Sequence, residues 1–206
     1  ILPGDPLLAD KTVEYIGQVI AIVVASSVDI ARAGADLVKV KITPLVPVLD
    51  IKQAHALKHY VLDPHTQSIG DAEKALQQAA HVIRGELSIG GQEHFYLETQ
   101  ICSTVPTEEG GMLVYASTQH PSEVQKLVAQ VIDVSLNKVT VDMRRMGGGF
   151  GGKETQAAQP ACLAALASHL TGKPCKMRLT RELDMRMTGK RHPFIAQYEV
   201  GFDEKG

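Results

Sequence analysis

The sequence predicts a mixed α/β fold, and three observations carry the prediction. Residues 19–25 are almost wholly apolar, as a strand covered on both faces would be. Residues 81–88 and 192–202 alternate apolar and polar side chains with the period of two that suits half-buried strands. Residues 122–133 instead place Val124, Leu127, Val128 and Val131 on one stripe of a helix. A chain of 206 residues and 22.2 kDa can bury a real core, in one large or two small domains.

From the N-terminus, the apolar strand at 19–25 is followed by a short helical pattern at 29–36 and an alternating strand at 37–42, which Pro44 and Pro47 end. Asp50 is placed to cap a helix over 51–57, because its carboxylate can accept from the unpaired amides of the first turn. Residues 58–70 have the polar composition of a loop, after which Ser68 or Asp71 introduces a two-turn helix over 72–80. The second part begins near His81 with the strand over 81–88. Strands over 98–105 and 112–117 follow, the turn Glu108, Glu109, Gly110, Gly111 joining them. Pro121 opens the helix at 122–133, since proline sacrifices no hydrogen bond at the first helical position. A strand over 139–143 leads into a glycine run. A long helix over 155–170, rich in Ala and Leu, is expected to be packed on nearly all sides, with Pro160 marking a kink or a later start. Thr171, Gly172, Lys173 and Pro174 stop it, and strands over 176–180 and 192–202 complete the order.

Composition excludes more than it selects. Twenty-one Lys and Arg against 23 Asp and Glu leave a formal net charge of -2, which argues against nucleic acid or an acidic membrane as partner. No run of 18 apolar residues and no basic-then-apolar leader is present, so neither a membrane span nor a secretory signal is expected. Cys102, Cys162 and Cys175 form no Cys-x-x-Cys or zinc pattern, and reduced, buried thiols suit a cytoplasmic setting. Tryptophan is absent and Tyr and Phe are few, so a stacking platform for bases is hard to build. The chain opens at Ile1 and stops at a nascent hairpin turn, and both ends are expected to be cut.

The most informative stretch is Met146, Gly147, Gly148, Gly149, Phe150, Gly151, Gly152, Lys153, Glu154. Each glycine removes a Cβ and weakens a regular element by about 0.5–1 kcal/mol, so a cluster of them implies close approach of backbone to something. A tight turn or linker is the plain alternative, but it has no use for Phe150 amid the glycines or for Arg144 and Arg145 before them. A Walker loop fails because Lys153 is followed by Glu154 rather than Ser or Thr. A dinucleotide fingerprint over Gly147, Gly149 and Gly152 fails because no acidic residue ends a following strand, where Arg178 and Arg181 stand. Lying between a strand end and a helix start, the run can offer amides to anionic oxygen or sulfur. Glu154 reads either as a first-turn carboxylate facing the helix dipole or as a functional group.

A second constellation, Gly90 to Glu98, gathers Gln92, Glu93, His94, Phe95, Tyr96 and Glu98 in one short connection. Gln92 can donate and accept without charge, which suits a metal-bound oxygen or a neutral carbonyl, or an ordinary bond to loop backbone. His94 reads as a packing histidine or a ligand, and Glu93 with Glu98 as a carboxylate pair only if the fold bends them together. A third segment, Met185 to Phe194, carries Arg186, Lys190 and Arg191, either for phosphate or as a solvated face.

Together these segments resemble the molybdopterin-binding subunit or domain of the xanthine dehydrogenase and aldehyde oxidase family. The resemblance rests on Gly90 through Thr99, on Ser117, Thr118 and Gln119, on Arg145 through Glu154, and on Thr188 through Phe194, in the family's order and approximate spacing. It implies that residues 1–80 are the later part of a small hammerhead-type α/β domain and 81–206 the start of the molybdopterin-binding domain. It implies that Gln92 approaches an oxo group on molybdenum, and that Phe150 brings its backbone beside the metal, with Gly149 and Gly151 allowing the approach. Glu154 matches a glutamate that hydrogen-bonds the purine and stabilises transition-state charge, where aldehyde oxidases commonly carry an apolar residue.

The implied activity is oxidation of hypoxanthine and xanthine toward urate, with oxygen derived from water. Electrons then pass to 2Fe-2S centres, FAD and NAD on other domains or subunits. The implied assembly is a cytoplasmic oligomer of heterodimers. Lys190, often glycine in animal members, points to the bacterial type in which this subunit is separate. The family's catalytic base and the arginine opposite Glu154 have no counterpart here, since Glu182 and Arg191 do not match those motifs, so this chain alone is expected to be inactive. An aldehyde- or N-heterocycle-oxidising relative and a non-catalytic partner-binding module remain as alternatives.

Overall fold

The computed structural model describes residues 6–206, and the first few residues of the predicted N-terminal domain lie outside the described residues. In chain order the elements are α1 (Val28–Asp36), α2 (Ile51–Ala56), α3 (Ala72–Gln78), β1 (His81–Ile89), β2 (Ile101–Pro106), β3 (Met112–Ala116) and α4 (Pro121–Val131). They continue with β4 (Val139–Asp142), α5 (Ala158–Thr171), β5 (Cys175–Arg178), α6 (Arg181–Met187) and β6 (Phe194–Phe202). The predicted mixed α/β class is the one observed. The chain forms two compact units, Ile1–Val40 with Glu93–Lys190, and Lys41–Gln92 with Arg191–Gly206.

The first unit is built on a four-stranded sheet of order β4-β3-β2-β5. β3 pairs antiparallel with β2 and parallel with β4, and β5 pairs antiparallel with β2. α4 and α5 pack on this sheet and on each other. The apolar stripe foreseen on α4 is buried at Val124, Leu127 and Val128, where it meets Val114, Val139, Ala161, Cys162 and Ala165. α5 is buried around most of its circumference, which its Ala-rich sequence permits because small side chains let neighbouring backbones come close.

The second unit holds the antiparallel pair β1 and β6, in register from His81 opposite Phe202 to Ile89 opposite Phe194. Alternation places Ile83, Leu87, Phe194, Tyr198 and Val200 on one face and Arg84, Glu86, Gln197 and Glu199 on the other. On the polar face Arg84 pairs with Glu199 at 3.1 Å and Lys52 of α2 reaches Glu86 at 2.9 Å. Asp50 and Asp71 cap α2 and α3 by accepting from the amides of Gln53 and Lys74.

Four expectations need correction. Residues 19–25 and 37–42 join no sheet and leave Ile20, Val23, Val24, Val38, Val40 and Ile42 exposed, because apolar or alternating composition does not make a strand without a hydrogen-bonding neighbour, and no described strand supplies one. α5 starts at Ala158, not at residue 155, which puts Pro160 in its first turn, where the amide it lacks has no intrahelical acceptor. Residues 98–100 stay outside β2, their polar groups being used in a buried network. α6 was not foreseen; Thr180 caps it by accepting from Leu183 N at 3.3 Å, and Glu182 and Asp184 sit in its first turn.

Candidate functional site

The glycine run leaves β4 at Asp142 and reaches α5 through a series of turns, so Glu154 stands ahead of the helix rather than in its first turn. Close approach explains its composition. A Cβ on Gly149 would lie 2.4 Å from Gln119 Oε1, and one on Gly152 would lie 2.7 Å from Tyr96 Cε1 and 2.8 Å from His94 Cγ. Phe150 adopts φ 53, a conformation that costs a non-glycine residue of order 1 kcal/mol or more, and its ring is 75% exposed rather than buried as its type suggested. Strain kept at an exposed aromatic points to use of the loop tip and not to packing.

The loop is held from behind. Gln119 Oε1 accepts from the amides of Gly151 and Lys153 at 3.0 and 3.2 Å, and the Gln119 amide donates to Lys153 O at 2.8 Å. Gly152 N donates to Gly149 O at 2.7 Å. The amides of Gly148, Gly149 and Phe150 donate to no acceptor among the described residues. Glu154 is exposed and forms no hydrogen bond or ion pair among the described residues.

Beneath the run lies a buried polar network. Lys153 has a fully buried side chain, which donates to Glu98 Oε2 at 3.1 Å and Ser117 Oγ at 2.9 Å and sits 4.8 Å above the Tyr96 ring. Desolvation lowers its pKa, and the Glu98 carboxylate only partly offsets this. Burial alone would raise the Glu98 pKa, but donors from Ser117, Gly147 and Lys153 together bring it below the usual carboxylate value. Tyr96 donates to Asp184 Oδ1, and Gln100 donates through its backbone to Asp184 Oδ2 at 2.6 Å and through its side chain to Gly152 O at 2.9 Å. Burial, and then the adjacent Asp184, push the Tyr96 phenol well up, so it stays a neutral donor.

This arrangement presents a rigidly backed glycine loop with free amides and an exposed carboxylate. The molybdopterin cofactor-binding domain profile matches residues 54–206. The chain belongs to the molybdopterin cofactor-binding domain family. This domain is 42% identical over 208 residues to the xanthine dehydrogenase of Calliphora vicina, covering 100% of this chain and 15% of that protein. It is 41% identical over 204 residues to aldehyde oxidase 2 of Cavia porcellus, covering 98% of this chain and 15% of that protein. Among solved structures, quinoline 2-oxidoreductase from Pseudomonas putida 86 matches with a TM-score of 0.82 at 25% identity, over 96% of this chain and 26% of that one. The molybdopterin-binding chain thus spans 15% of the length of these curated relatives.

Within the domain the predicted residues fall into both units. Gly149, Phe150, Gly151 and Glu154 belong to the first, Gln92 to the second. Gln92 is exposed and forms an isolated antiparallel bridge with Arg191, each amide donating to the other's carbonyl at 3.1 and 3.0 Å. The basic segment is consumed internally. Arg186 pairs with Glu182 at 2.8 Å, Lys190 with Glu93 at 2.9 Å, and Arg191 donates to Gly90 O at 3.1 Å. Glu93 and Glu98 each have their own lysine and do not form a carboxylate pair. His94 stacks on Tyr96 at 6.5 Å, its packing role. Among the described residues no cluster of three or more His, Cys, Asp or Glu could hold a metal, and no helix is long and apolar enough to cross a membrane. Sequence reasoning missed Lys153, Gln119, Tyr96 and Asp184 as loop supports. The available signal was the glycine run itself, since each absent Cβ implies a partner side chain.

Proposed function

We propose that this chain is part of a molybdenum hydroxylase that oxidises hypoxanthine or xanthine toward urate. The observation that carries the proposal is Glu154, an exposed carboxylate with no hydrogen-bond or ion-pair partner among the described residues, just past the strained Phe150. The 42% identity to a xanthine dehydrogenase over the whole chain supports the same reading. Residues 1–80 are assigned to the end of a hammerhead-type domain and 81–206 to the start of the molybdopterin-binding domain. The cofactor, when bound, supplies the two-electron oxidation chemistry. In this reading 2Fe-2S centres and FAD on other domains or subunits carry electrons to NAD. The working form is a cytoplasmic oligomer of heterodimers, and this chain alone is inactive.

The residues present fit an anionic, oxygen- and sulfur-rich group. The unpaired amides of Gly148, Gly149 and Phe150 supply donors, and a Cβ on Gly151 would meet nothing nearer than His94 Nε2 at 3.9 Å, so the backbone there is open to close approach. Gln92, whose backbone is fixed by its bridge to Arg191, would offer the cofactor a neutral donor and acceptor. Phe150, held at positive φ at the exposed tip of the loop, would present the loop backbone to the cofactor. Glu154 accepts from a ring N–H, orients the purine, and stabilises charge as it builds on the heterocycle.

Replacement of Glu154 by Ala in the full-length enzyme is expected to lose about 2–4 kcal/mol of transition-state binding, roughly 30- to 900-fold in kcat/KM, at unchanged molybdenum content. Undiminished purine turnover in that variant would overturn the assignment. A second reading, an aldehyde- or N-heterocycle-oxidising enzyme, is favoured by the 41% identity to an aldehyde oxidase. It predicts faster aldehyde than purine oxidation by the wild type and indifference to Glu154→Ala. A full-length protein that takes up no molybdenum would instead favour a non-catalytic partner-binding module.

A further inference from the structure

One carboxylate oxygen gathers three donors from separate parts of the chain. Glu98 Oε2 accepts from Ser117 Oγ at 2.5 Å, from Gly147 N at 3.0 Å and from Lys153 Nζ at 3.1 Å. Gly147 and Lys153 are the two ends of the glycine run, so a single atom ties the run into a closed loop. The tie at Gly147 is doubled, because Glu98 N also donates to Gly147 O at 3.1 Å. It is also sterically enforced, since a Cβ on Gly147 would lie 2.5 Å from Glu98 Cβ. At the far end Lys153 is held at its ammonium by Glu98 and Ser117 and at its backbone amide by Gln119.

A pair that served stability alone would not need to engage the loop at both ends. The surface pairs Lys52 with Glu86 and Arg84 with Glu199 join one side chain to another without tying a backbone segment to itself. Around Glu98, by contrast, the amides at the ends of the run are bonded to the protein, while those of Gly148, Gly149 and Phe150 at the tip find no acceptor among the described residues. Protein acceptors are thus spent on shaping the loop, and the donors left over lie at its tip.

We infer that Glu98 is a positioning residue for the cofactor: by holding both ends of the glycine run it fixes the tip amides in the conformation that receives the pterin. The inference rests on the proposed function for the identity of the ligand, but the clamp itself has its own readout. Glu98→Gln in the full-length protein keeps the size and one acceptor and removes the charge that holds Lys153. Without cofactor, hydrogen exchange over residues 146–154 is expected to accelerate about tenfold or more, the effect of losing one charge-assisted bond. After expression with cofactor supply, pterin and molybdenum content per chain is expected to fall in parallel.

Thr104→Val is the matched control. It removes a buried hydroxyl that donates to Ala164 O and Cys175 O, away from the loop, and is expected to lower stability while leaving loop exchange and cofactor content at wild-type values. If Glu98→Gln does not accumulate, the double variant with Lys153→Met carries no unpaired buried charge and is read in the same way. Wild-type loop exchange in the Glu98 variants, or equal cofactor loss in Thr104→Val, overturns the clamp and leaves the proposed function standing. A wild-type enzyme that holds no pterin overturns the proposed function, and the exchange comparison then still decides whether Glu98 orders the loop.

Discussion

Gly152→Ala tests whether the glycine run is shaped by contact with rings beneath it. The added Cβ would lie 2.7 Å from Tyr96 Cε1 and 2.8 Å from His94 Cγ. Carbon atoms pack best near 3.5–4.0 Å, so one partner has to retreat by roughly 1 Å. Tyr96 is in no position to do so. It is 1% exposed, its hydroxyl is fixed by Asp184 and Gln100, and Lys153 lies over its face. The loop must therefore move, stretching the 2.7 Å bond from Gly152 N to Gly149 O and the bond from Gln100 to Gly152 O. Overpacking of this kind costs about 1–3 kcal/mol, and loss of one hydrogen bond adds about 1 kcal/mol, so about 2–4 kcal/mol is expected. Hydrogen exchange over residues 146–156 of the full-length protein reads it, with Gly90→Ala as reference because a Cβ there meets nothing within 4 Å. Equal protection in the two variants would refute the claim that Tyr96 and His94 set the loop.

The low pKa of Glu98 sets a pH response. The folded state binds its proton less readily than the unfolded state, so the contribution of this carboxylate is complete above its ordinary value of 4.5 and fades as pH falls through the lower folded value. Loop protection, corrected for intrinsic exchange, is expected to be flat at neutral pH and to drop only below about pH 4.5, and Glu98→Gln is expected to remove that step. The thiols respond to burial. Burial pushes Cys102 and Cys162 up to about 12, which leaves almost no thiolate at neutral pH. In the folded protein iodoacetamide is therefore expected to spare both while alkylating the half-buried Cys175, and mass spectrometry showing prompt modification of Cys102 would contradict this packing.

What the sequence revealed and what it hid follow the range of the interactions. Caps were legible because they are local. Asp50, Asp71 and Pro121 each act within four residues: Asp50 caps α2 as expected, Asp71 rather than Ser68 caps α3, and Pro121 is the first residue of α4, one ahead of the expected start. The cap on α6 was equally local, and Thr180 followed by Glu182 and Asp184 would have disclosed that helix. The start of α5 was misjudged because Pro160 permits either a kink or an early position, and only the turns after the glycine run decide between them. The apolar run at 19–25 was misread because alternation and apolarity describe one strand, whereas a ladder requires two. The loop supports were hidden for the same reason. Lys153 finds Glu98 across 55 residues and Tyr96 finds Asp184 across 88, separations that no short pattern records.

The same distances explain why the glycine run looks so unlike a nucleotide loop. In phosphate loops a lysine beside the glycines reaches outward to the ligand. Here Lys153 turns inward, loses its solvation, and is neutralised by Glu98 beneath the loop. Removing that lysine from the ligand side leaves the tip with neutral amide donors, an exposed ring and a carboxylate as its chemical face. An electropositive tip would favour any phosphate; amide donors without a neighbouring cation, next to Glu154, attract a small free anion only weakly and suit a larger anionic group whose acceptors meet the amides one by one, together with a neutral heterocycle. Lys153→Met and Lys153→Arg would then affect the ligand only through loop order, because neither side chain would touch it. An acquired affinity for inorganic phosphate in a Glu98→Ala protein, where Lys153 is released to turn outward, is the outcome this reasoning requires.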